Sequence, residues 1–327
     1  MEGKENKEFL NVKNLVVEYT SEGEIVQAVN NVSFQLGKGR TLGLVGETGA
    51  GKTTIAKTLL RILPEYSAHV KGGDVWMDGQ NLLDLPEEEM MKIRGRKISM
   101  IFQDPMTALN PIMEVGEQIA EVILVHNDIS RAEANKRAVQ MLEMVGIPGE
   151  RFHEFAHQFS GGMKQRVVIA MALACQPDLL IADEPTTALD VTIQAQVLEM
   201  INDLKKQYNT AMIMITHDLG IIAQVCDDVA VIYAGEIVEY GALRQIFKNP
   251  CHPYTVGLFN AIPKLDSDVN RLTPIPGFVA DPTHLPAGCH FGPRCEKCTE
   301  KCSAEGQVPF LEVEPGHFCR CFQYTTK

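Results

Sequence analysis

Gly46-Glu47-Thr48-Gly49-Ala50-Gly51-Lys52-Thr53 satisfies the pattern G-x-x-x-x-G-K-[ST], and its flanks decide how it is read. The apolar run Thr41-Leu-Gly-Leu-Val45 before it reads as a buried strand. After it, Ile55, Leu59, Leu60 and Leu63 recur at helical spacing, so the loop opens a helix. Glycines let backbone N–H groups turn inward around an anionic phosphate, and the helix N-terminus adds its partial positive charge. Lys52 is placed to reach the β- and γ-phosphates. The hydroxyl of Thr53, followed by Thr54, suits the Mg²⁺ that accompanies them. The pattern implies that the chain binds a nucleoside triphosphate.

The composition around that loop is ordinary: 327 residues, 45% hydrophobic and 22% charged. Such a length buries a large core and suggests about two domains. A formal net charge of −12 argues against a nucleic-acid backbone as the main partner. The longest strongly apolar run, Val167 to Cys175, lies between Arg166 and Gln176 and has nine residues. A membrane-spanning helix needs about twenty. The first residues, Met1-Glu-Gly-Lys-Glu-Asn-Lys-Glu8, are charged and lack the apolar stretch of a signal peptide. The expectation is a cytosolic chain, or one held at a membrane by another protein.

The nine cysteines are unevenly spread. Cys175, Cys226 and Cys251 precede position 288, and six fall between Cys289 and Cys321. Pro250, Pro253, Pro263, Pro274, Pro276, Pro282, Pro286 and Pro293 interrupt any long helix in the same region. A domain boundary is therefore expected near 240, after an apparent hairpin formed by Val229–Tyr233, a turn at Ala234-Gly235, and Glu236–Tyr240. Residues 1–240 and 241–327 are the two predicted domains. There is no internal repeat and no low-complexity tract.

Before that boundary, strand and helix patterns alternate as in an α/β nucleotide-binding fold with a parallel sheet. Strand candidates are Thr41–Val45, Ile98–Phe102, Leu179–Ala182 and Met212–Thr216. A long helical insertion separates the second from the third. Within it, Ser130-Arg-Ala-Glu133 reads as a capping box and Gly146 as a helix stop. The segment Val191–Leu204 carries Ile193, Val197, Leu198, Ile201 and Leu204 on one helical face. Val12–Leu36 is predicted as short antiparallel strands.

Five further elements fall in order along this framework. The run Leu179-Leu-Ile-Ala-Asp183-Glu184-Pro185 is an apolar strand ending in two carboxylates. Asp183 suits a direct or water-mediated Mg²⁺ role, and Glu184 is placed to polarise the water that attacks a γ-phosphate. Gln103 follows the strand Ile98–Phe102, within reach of metal or water, although spacing alone does not raise it above a surface glutamine. Phe159-Ser160-Gly161-Gly162-Met163-Lys164-Gln165 opens the apolar helix Val167–Cys175. Ser160 reads as its N-cap, and the glycines leave the helix end bare as a second anion site. Thr187-Ala-Leu-Asp190 reads as a turn whose Asp190 caps the next helix. Thr216-His217-Asp218 ends a strand, where a histidine either contacts a γ-phosphate or serves structurally.

In this order the motifs resemble those of the ATP-binding subunits of ABC transporters, over residues from about 10 to 240. The resemblance implies a mostly parallel RecA-like sheet core, an antiparallel β subdomain and a helical subdomain at about 104–165. By the same likeness Gly46–Thr53, with Thr54, is the Walker A loop and Gln103 the Q-loop glutamine. Ser160-Gly161-Gly162 is the signature, which covers ATP bound to another subunit. Asp183 and Glu184 match Walker B and the catalytic glutamate, Ala188-Leu189-Asp190 the D-loop, and His217 the switch histidine. Mg²⁺ falls to Thr53, Gln103 and Asp183. Tyr19 stands where the family places an aromatic stacked on adenine, the alternative being a strand aromatic packed on its neighbours. The family's signature begins Leu-Ser-Gly-Gly-Gln, so Phe159 and Met163 depart from it.

Gln103-Asp-Pro-Met-Thr-Ala-Leu-Asn-Pro111 and Phe247-Lys-Asn-Pro-Cys-His-Pro-Tyr-Thr255 narrow the resemblance to the oligopeptide, dipeptide and nickel importer branch. So do Pro274-Ile-Pro-Gly277 and Gly288-Cys-His-Phe-Gly-Pro-Arg-Cys295 in the tail. The branch implies an ATPase that powers uptake of di- and oligopeptides by ATP-driven dimer closure, with a nickel importer as the alternative. It implies a second ABC ATPase, copy or homologue, two membrane permease subunits, and indirectly an extracytoplasmic substrate-binding protein. The chain would then sit at the cytoplasmic face of the membrane, with residues 104–150 passing its motion to a permease. A non-transport ABC ATPase of DNA repair or translation fits less well, because there is one Walker A, no extended heptad and an acidic balance.

Six cysteines in 33 residues of a cytosolic chain suggest metal binding rather than disulfides, and thiolate-only ligation suits zinc or iron–sulfur. The peptide-importer resemblance implies a [4Fe–4S] cluster on Cys289, Cys295, Cys302 and Cys321 in a small Cys/Pro-rich C-terminal domain. Cys319 is the alternative fourth ligand, and Cys298 is extra.

Overall fold

The structure is a computed structural model that describes residues 8–186, 189–261, 274–304 and 306–325. Its strands are β1 (Glu8–Ser21), β2 (Glu24–Gly37), β3 (Thr41–Val45), β4 (Ala68–Met77), β5 (Gln80–Asn81) and β6 (Ile98–Ile101). They continue with β7 (Leu179–Asp183), β8 (Ala211–Ile215), β9 (Asp228–Tyr233), β10 (Glu236–Ala242), β11 (Phe310–Glu314) and β12 (His317–Arg320). The helices are α1 (Lys52–Leu59), α2 (Glu87–Ile93), α3 (Pro105–Ala108), α4 (Val115–His126), α5 (Arg131–Met144) and α6 (Gly161–Leu173). After them come α7 (Val191–Tyr208), α8 (Leu219–Val225), α9 (Leu243–Lys248), α10 (Pro253–Asn260) and α11 (Glu300–Ser303). The chain divides into two compact units, each assembled from separate stretches. One comprises Met1–Leu10, Leu36–Thr41 and Asp78–Thr216; the other comprises Asn11–Gln35, Leu42–Met77 and His217–Lys327.

In the first unit β6, β7 and β8 are parallel neighbours, with Ile98 opposite Leu179 and Leu179 opposite Ala211. Every residue of the three is buried. Strands covered on both faces read as near-continuous apolar runs, which is why these three were legible in the sequence. The expected helical insertion between β6 and β7 holds α3, α4, α5 and α6. Ser130 Oγ accepts the Glu133 N–H at 3.3 Å to start α5, and Gly146 takes φ 74° just past its end. Asp190 caps α7 by accepting the Ile193 N–H at 3.0 Å, and Val197, Leu198, Ile201 and Leu204 are buried. Ile193 is only half-buried, and α7 runs four residues beyond the predicted Leu204, to Tyr208. Thr187 and Ala188 of the predicted turn lie outside the described residues.

In the second unit β3 pairs in parallel with β9, and β9 pairs antiparallel with β10 around Ala234-Gly235, where φ is 45° and 78°. Two consecutive positive φ angles are what a tight two-residue hairpin turn requires. Residues after 240 continue this sheet: Glu239 and Tyr240 of β10 lie opposite Cys319 and Phe318 of β12, and β12 pairs with β11. β1 lies between β2 and β4 in a separate sheet. β1 and β2 are each 14 residues long, not the short strands predicted, and turn at Glu22-Gly23 with φ 52° and 88°.

Candidate nucleotide site

Two glycines make the phosphate loop possible. A Cβ on Gly46 would lie 2.1 Å from the Ile232 carbonyl oxygen, and one on Gly51 2.3 Å from that of Ala28. Gly51 also takes φ 101°, a conformation that side chains rarely adopt, and it is the N-cap of α1. Thr48, Gly49 and Ala50 complete the turn, and the Ala50 carbonyl accepts the Gly235 N–H at 3.1 Å. Lys52 is buried and folds back on the loop, donating to the carbonyls of Gly46 at 2.8 Å and Glu47 at 2.9 Å. A phosphate offering anionic oxygens in place of those carbonyls makes the stronger, charge-assisted partner. Thr53 sits half-buried in the first turn of α1, and the hydroxyls of Thr54 and Tyr19 lie 3.4 Å apart. That contact puts the half-buried Tyr19 beside the loop.

Two residues that sequence reasoning passed over hold the loop from the tail. Tyr254 Oη accepts the Glu47 N–H at 2.9 Å. Arg294 donates through both terminal nitrogens to the Glu47 carboxylate, at 2.7 and 3.1 Å. Tyr254 and Arg294 both lie in the quoted tail motifs, but their partner is more than 200 residues away, and no local pattern announces such a contact. In the same unit the exposed His217 follows β8, and Asp218 Oδ1 accepts the Gly220 N–H at 2.7 Å, capping the helix after it.

In the first unit Asp183 ends β7 and is buried, while Glu184 after it is half-buried and takes φ 47°. The exposed Gln103 donates to the Glu184 carboxylate at 2.7 Å. Ser160 Oγ accepts the Met163 N–H at 3.4 Å as the predicted N-cap, and Gly161 and Gly162 open α6. A Cβ on Gly162 would lie 2.9 Å from Ile193 Cγ2, so the helix end packs closely on α7. The two departures from the signature share one neighbour. The Arg151 guanidinium lies over the Phe159 ring at 4.4 Å, and its Nη1 contacts Met163 Sδ at 3.2 Å. Both departing side chains thus pack against this one arginine.

In the tail, Cys289, Cys295, Cys302 and Cys321 line one cavity of about 460 Å³, beside His252 and Phe291. Burial pushes the Cys289 thiol up to about 12 and also raises Cys295 and Cys321. Any metal held there must displace protons from these thiols. Cys298 is exposed, and Cys319 is fully buried, close to Glu239 and Cys251. Among the described residues, three metal-ligating atoms come within 4.8 Å of one another at Glu239, Cys251 and His317. Hydrogen bonds account for that trio: the Glu239 carboxylate accepts the N–H groups of Cys251 and His252 and lies against His317 Nε2, each at 2.8 Å.

Residues 29–187 match the family described as "ABC transporter", and residues 238–302 match "Oligopeptide/dipeptide transporter, C-terminal region". The chain is 49% identical over 317 residues to the oligopeptide transport ATP-binding protein OppD of Escherichia coli, covering 96% of this chain and 93% of the relative. It is 50% identical over 317 residues to the dipeptide transport ATP-binding protein DppD of Lactococcus lactis, covering 96% and 90%. Among solved structures it resembles the dimeric post-hydrolysis ATP-binding cassette MJ0796 with ADP and Pi, at TM-score 0.65 and 27% identity, covering 72% of this chain and 99% of that one. No helix among the described residues is long and apolar enough to cross a membrane.

Proposed function

The chain belongs to the ABC transporter ATPases that carry the oligopeptide/dipeptide C-terminal region, and we propose that it hydrolyses ATP to drive peptide uptake through membrane permease subunits. The relatives are named for oligopeptide and dipeptide transport, which favours peptides over nickel as cargo. The observation that carries turnover, rather than nucleotide binding alone, is the Glu184 carboxylate held by the Gln103 amide at the end of a buried strand. In this reading Lys52 leaves the carbonyls of Gly46 and Glu47 for the β- and γ-phosphates, and Tyr19 contacts the base. Glu184 orients the attacking water, and His217 contacts the γ-phosphate. Thr53, Asp183 and Gln103 offer the hard oxygen donors that suit Mg²⁺, which neutralises charge on the phosphates.

The signature Ser160-Gly161-Gly162 completes the site of a second ATPase subunit, copy or homologue. The dimeric state of the MJ0796 cassette supports that arrangement. The chain would then be peripheral at the cytoplasmic face of the membrane, served indirectly by a substrate-binding protein on the other side. The test is co-purification with the permease subunits, followed by uptake of labelled peptide against labelled nickel in vesicles. Uptake of labelled nickel and not of labelled peptide would reverse the cargo.

We also assign the tail cavity to a [4Fe–4S] cluster on Cys289, Cys295, Cys302 and Cys321. Four thiols lining one cavity are the donor set that a four-iron group takes. Bound there, the cluster would cross-link the tail segments, and ATP hydrolysis needs none of its redox chemistry.

A further inference from the structure

Glu47 puts a carboxylate into a loop that must receive a triphosphate. Left unanswered, that charge repels the ligand, and the repulsion strengthens as water leaves the site. Arg294 answers it with a bidentate fork, Nη1 to Oε2 at 2.7 Å and Nη2 to Oε1 at 3.1 Å. The arginine is 8% exposed and fixed on its other edge: Nε donates to the Pro276 carbonyl at 2.9 Å. Its guanidinium lies 5.7 Å from the Tyr233 ring centroid and 5.9 Å from that of Phe291. The Glu47 backbone is tied to the same region through Tyr254 Oη, and the Tyr254 ring packs on Tyr233 and Phe291 with centroids 4.8 and 5.4 Å away. Phe291 and Cys295, the residue after Arg294, both line the cysteine cavity.

We propose that Arg294 is a positioning residue of the nucleotide site. By pairing with Glu47 it neutralises and orients the loop's own carboxylate, so that affinity for the triphosphate depends on the order of the cysteine-lined tail. The inference rests on Gly46–Thr53 as the ATP loop and is independent of which group fills the cavity.

The test is competition of ATP against a fluorescent ATP analogue on the purified full-length chain, with a double-mutant cycle at the two residues. Arg294→Gln should weaken ATP binding about tenfold, equivalent to about 1.4 kcal/mol. It should raise KM for ATP while leaving kcat at saturating ATP close to that of the parent. Arg294→Lys, which keeps the charge without the fork, should recover part of the loss. Whatever Glu47→Gln does alone, Arg294→Gln in that background should cost about twofold or less, because the charge it answers is gone. A full tenfold loss in both backgrounds would mean that Arg294 merely braces the tail, and unchanged affinity in folded Arg294→Gln would equally overturn the proposal. Should Arg294→Gln fail to fold, Arg294→Lys in the two Glu47 backgrounds carries the same comparison. Cys295→Ser should weaken ATP binding more in the parent than in the Glu47→Gln background; equal effects would sever the tail from the loop. A parent chain that binds no ATP would instead sink the reading of the loop itself.

Discussion

The Gln103 amide donates to the Glu184 carboxylate at 2.7 Å across 81 residues of sequence, and strand register brings the two together. Ile101 of β6 lies opposite Ala182 of β7, and each of the paired residues comes two positions later. The Glu184 N–H donates to the Ile215 carbonyl at 2.8 Å, which holds the residue in its left-handed conformation. A non-glycine residue kept at such a φ angle marks a position where the surroundings over-determine the backbone.

Glu184→Gln is expected to retain ATP binding and lose hydrolysis by about 10²- to 10⁴-fold, the range typical of a general base. Phosphate release at saturating ATP, beside calorimetric ATP binding, measures both. Turnover like that of the parent would remove Glu184 from the base role.

Lys52→Ala should act on binding rather than on chemistry alone. Charge-assisted hydrogen bonds of roughly 1.5–3 kcal/mol correspond to about ten- to a hundredfold in affinity. Calorimetry with ATP would show it, and an unchanged affinity would contradict the phosphate contact.

Because Ser160 and Gly162 are proposed to act on a partner's nucleotide, hydrolysis by the isolated chain should rise more than linearly with its concentration. Otherwise it should require a second ATPase subunit. A strictly linear dependence, with the chain shown by light scattering to be a monomer, would argue for a site complete in one subunit.

Iron content separates the cysteines. Anaerobically purified protein should be brown, with broad visible absorption that fades on reduction. Serine at Cys289, Cys302 or Cys321 should remove most of the colour, while Cys298→Ser and Cys319→Ser should keep it, since neither lines the cavity. Stoichiometric zinc in a colourless preparation would replace the cluster, and colour retained in Cys321→Ser would move the fourth ligand to Cys319.

His252 sets an acid limit on the tail. Burial lowers its pKa from 6.5 to about 4, with Glu239 opposing the shift and Arg320 adding to it. Its Nδ1 also accepts the Tyr254 N–H at 3.1 Å, a bond that protonation would break. The unfolded imidazole takes up a proton where the folded one does not, so stability is full above pH 6.5 and falls as pH drops toward 4. At ~1.36 kcal/mol per unit the loss amounts to about 3 kcal/mol. His252→Asn, which keeps a cap acceptor and no titration, should flatten urea midpoints measured between about pH 7 and pH 4.5. An equal decline in both proteins would count against it.

Legibility followed the kind of burial. β3, β6, β7 and β8 were readable to within a residue or so because both faces are covered and nearly every side chain is apolar or small. β1 and β2 were harder. Asn14 and Asn31 take φ 49° and 53° within them and interrupt the alternation that signals a long strand. The caps at Ser130, Ser160 and Asp190 were legible because each contact spans only three residues.

By itself the sequence determined the phosphate loop, the carboxylates ending β7, the second glycine-opened helix and the order in which they occur, since each is a local pattern of glycines, caps and apolar runs. Only the tertiary structure decided which distant residues meet. It paired Gln103 with Glu184 through strand register and set Arg151 against both Phe159 and Met163. It also joined residues past 240 to the sheet through β12, and tied Glu47 to Tyr254 and Arg294. The physical reason is that a hydrogen bond or ion pair between remote segments is set by packing of the whole unit. Such a contact imposes no periodicity on the residues beside it, so nothing in the local sequence records the partner.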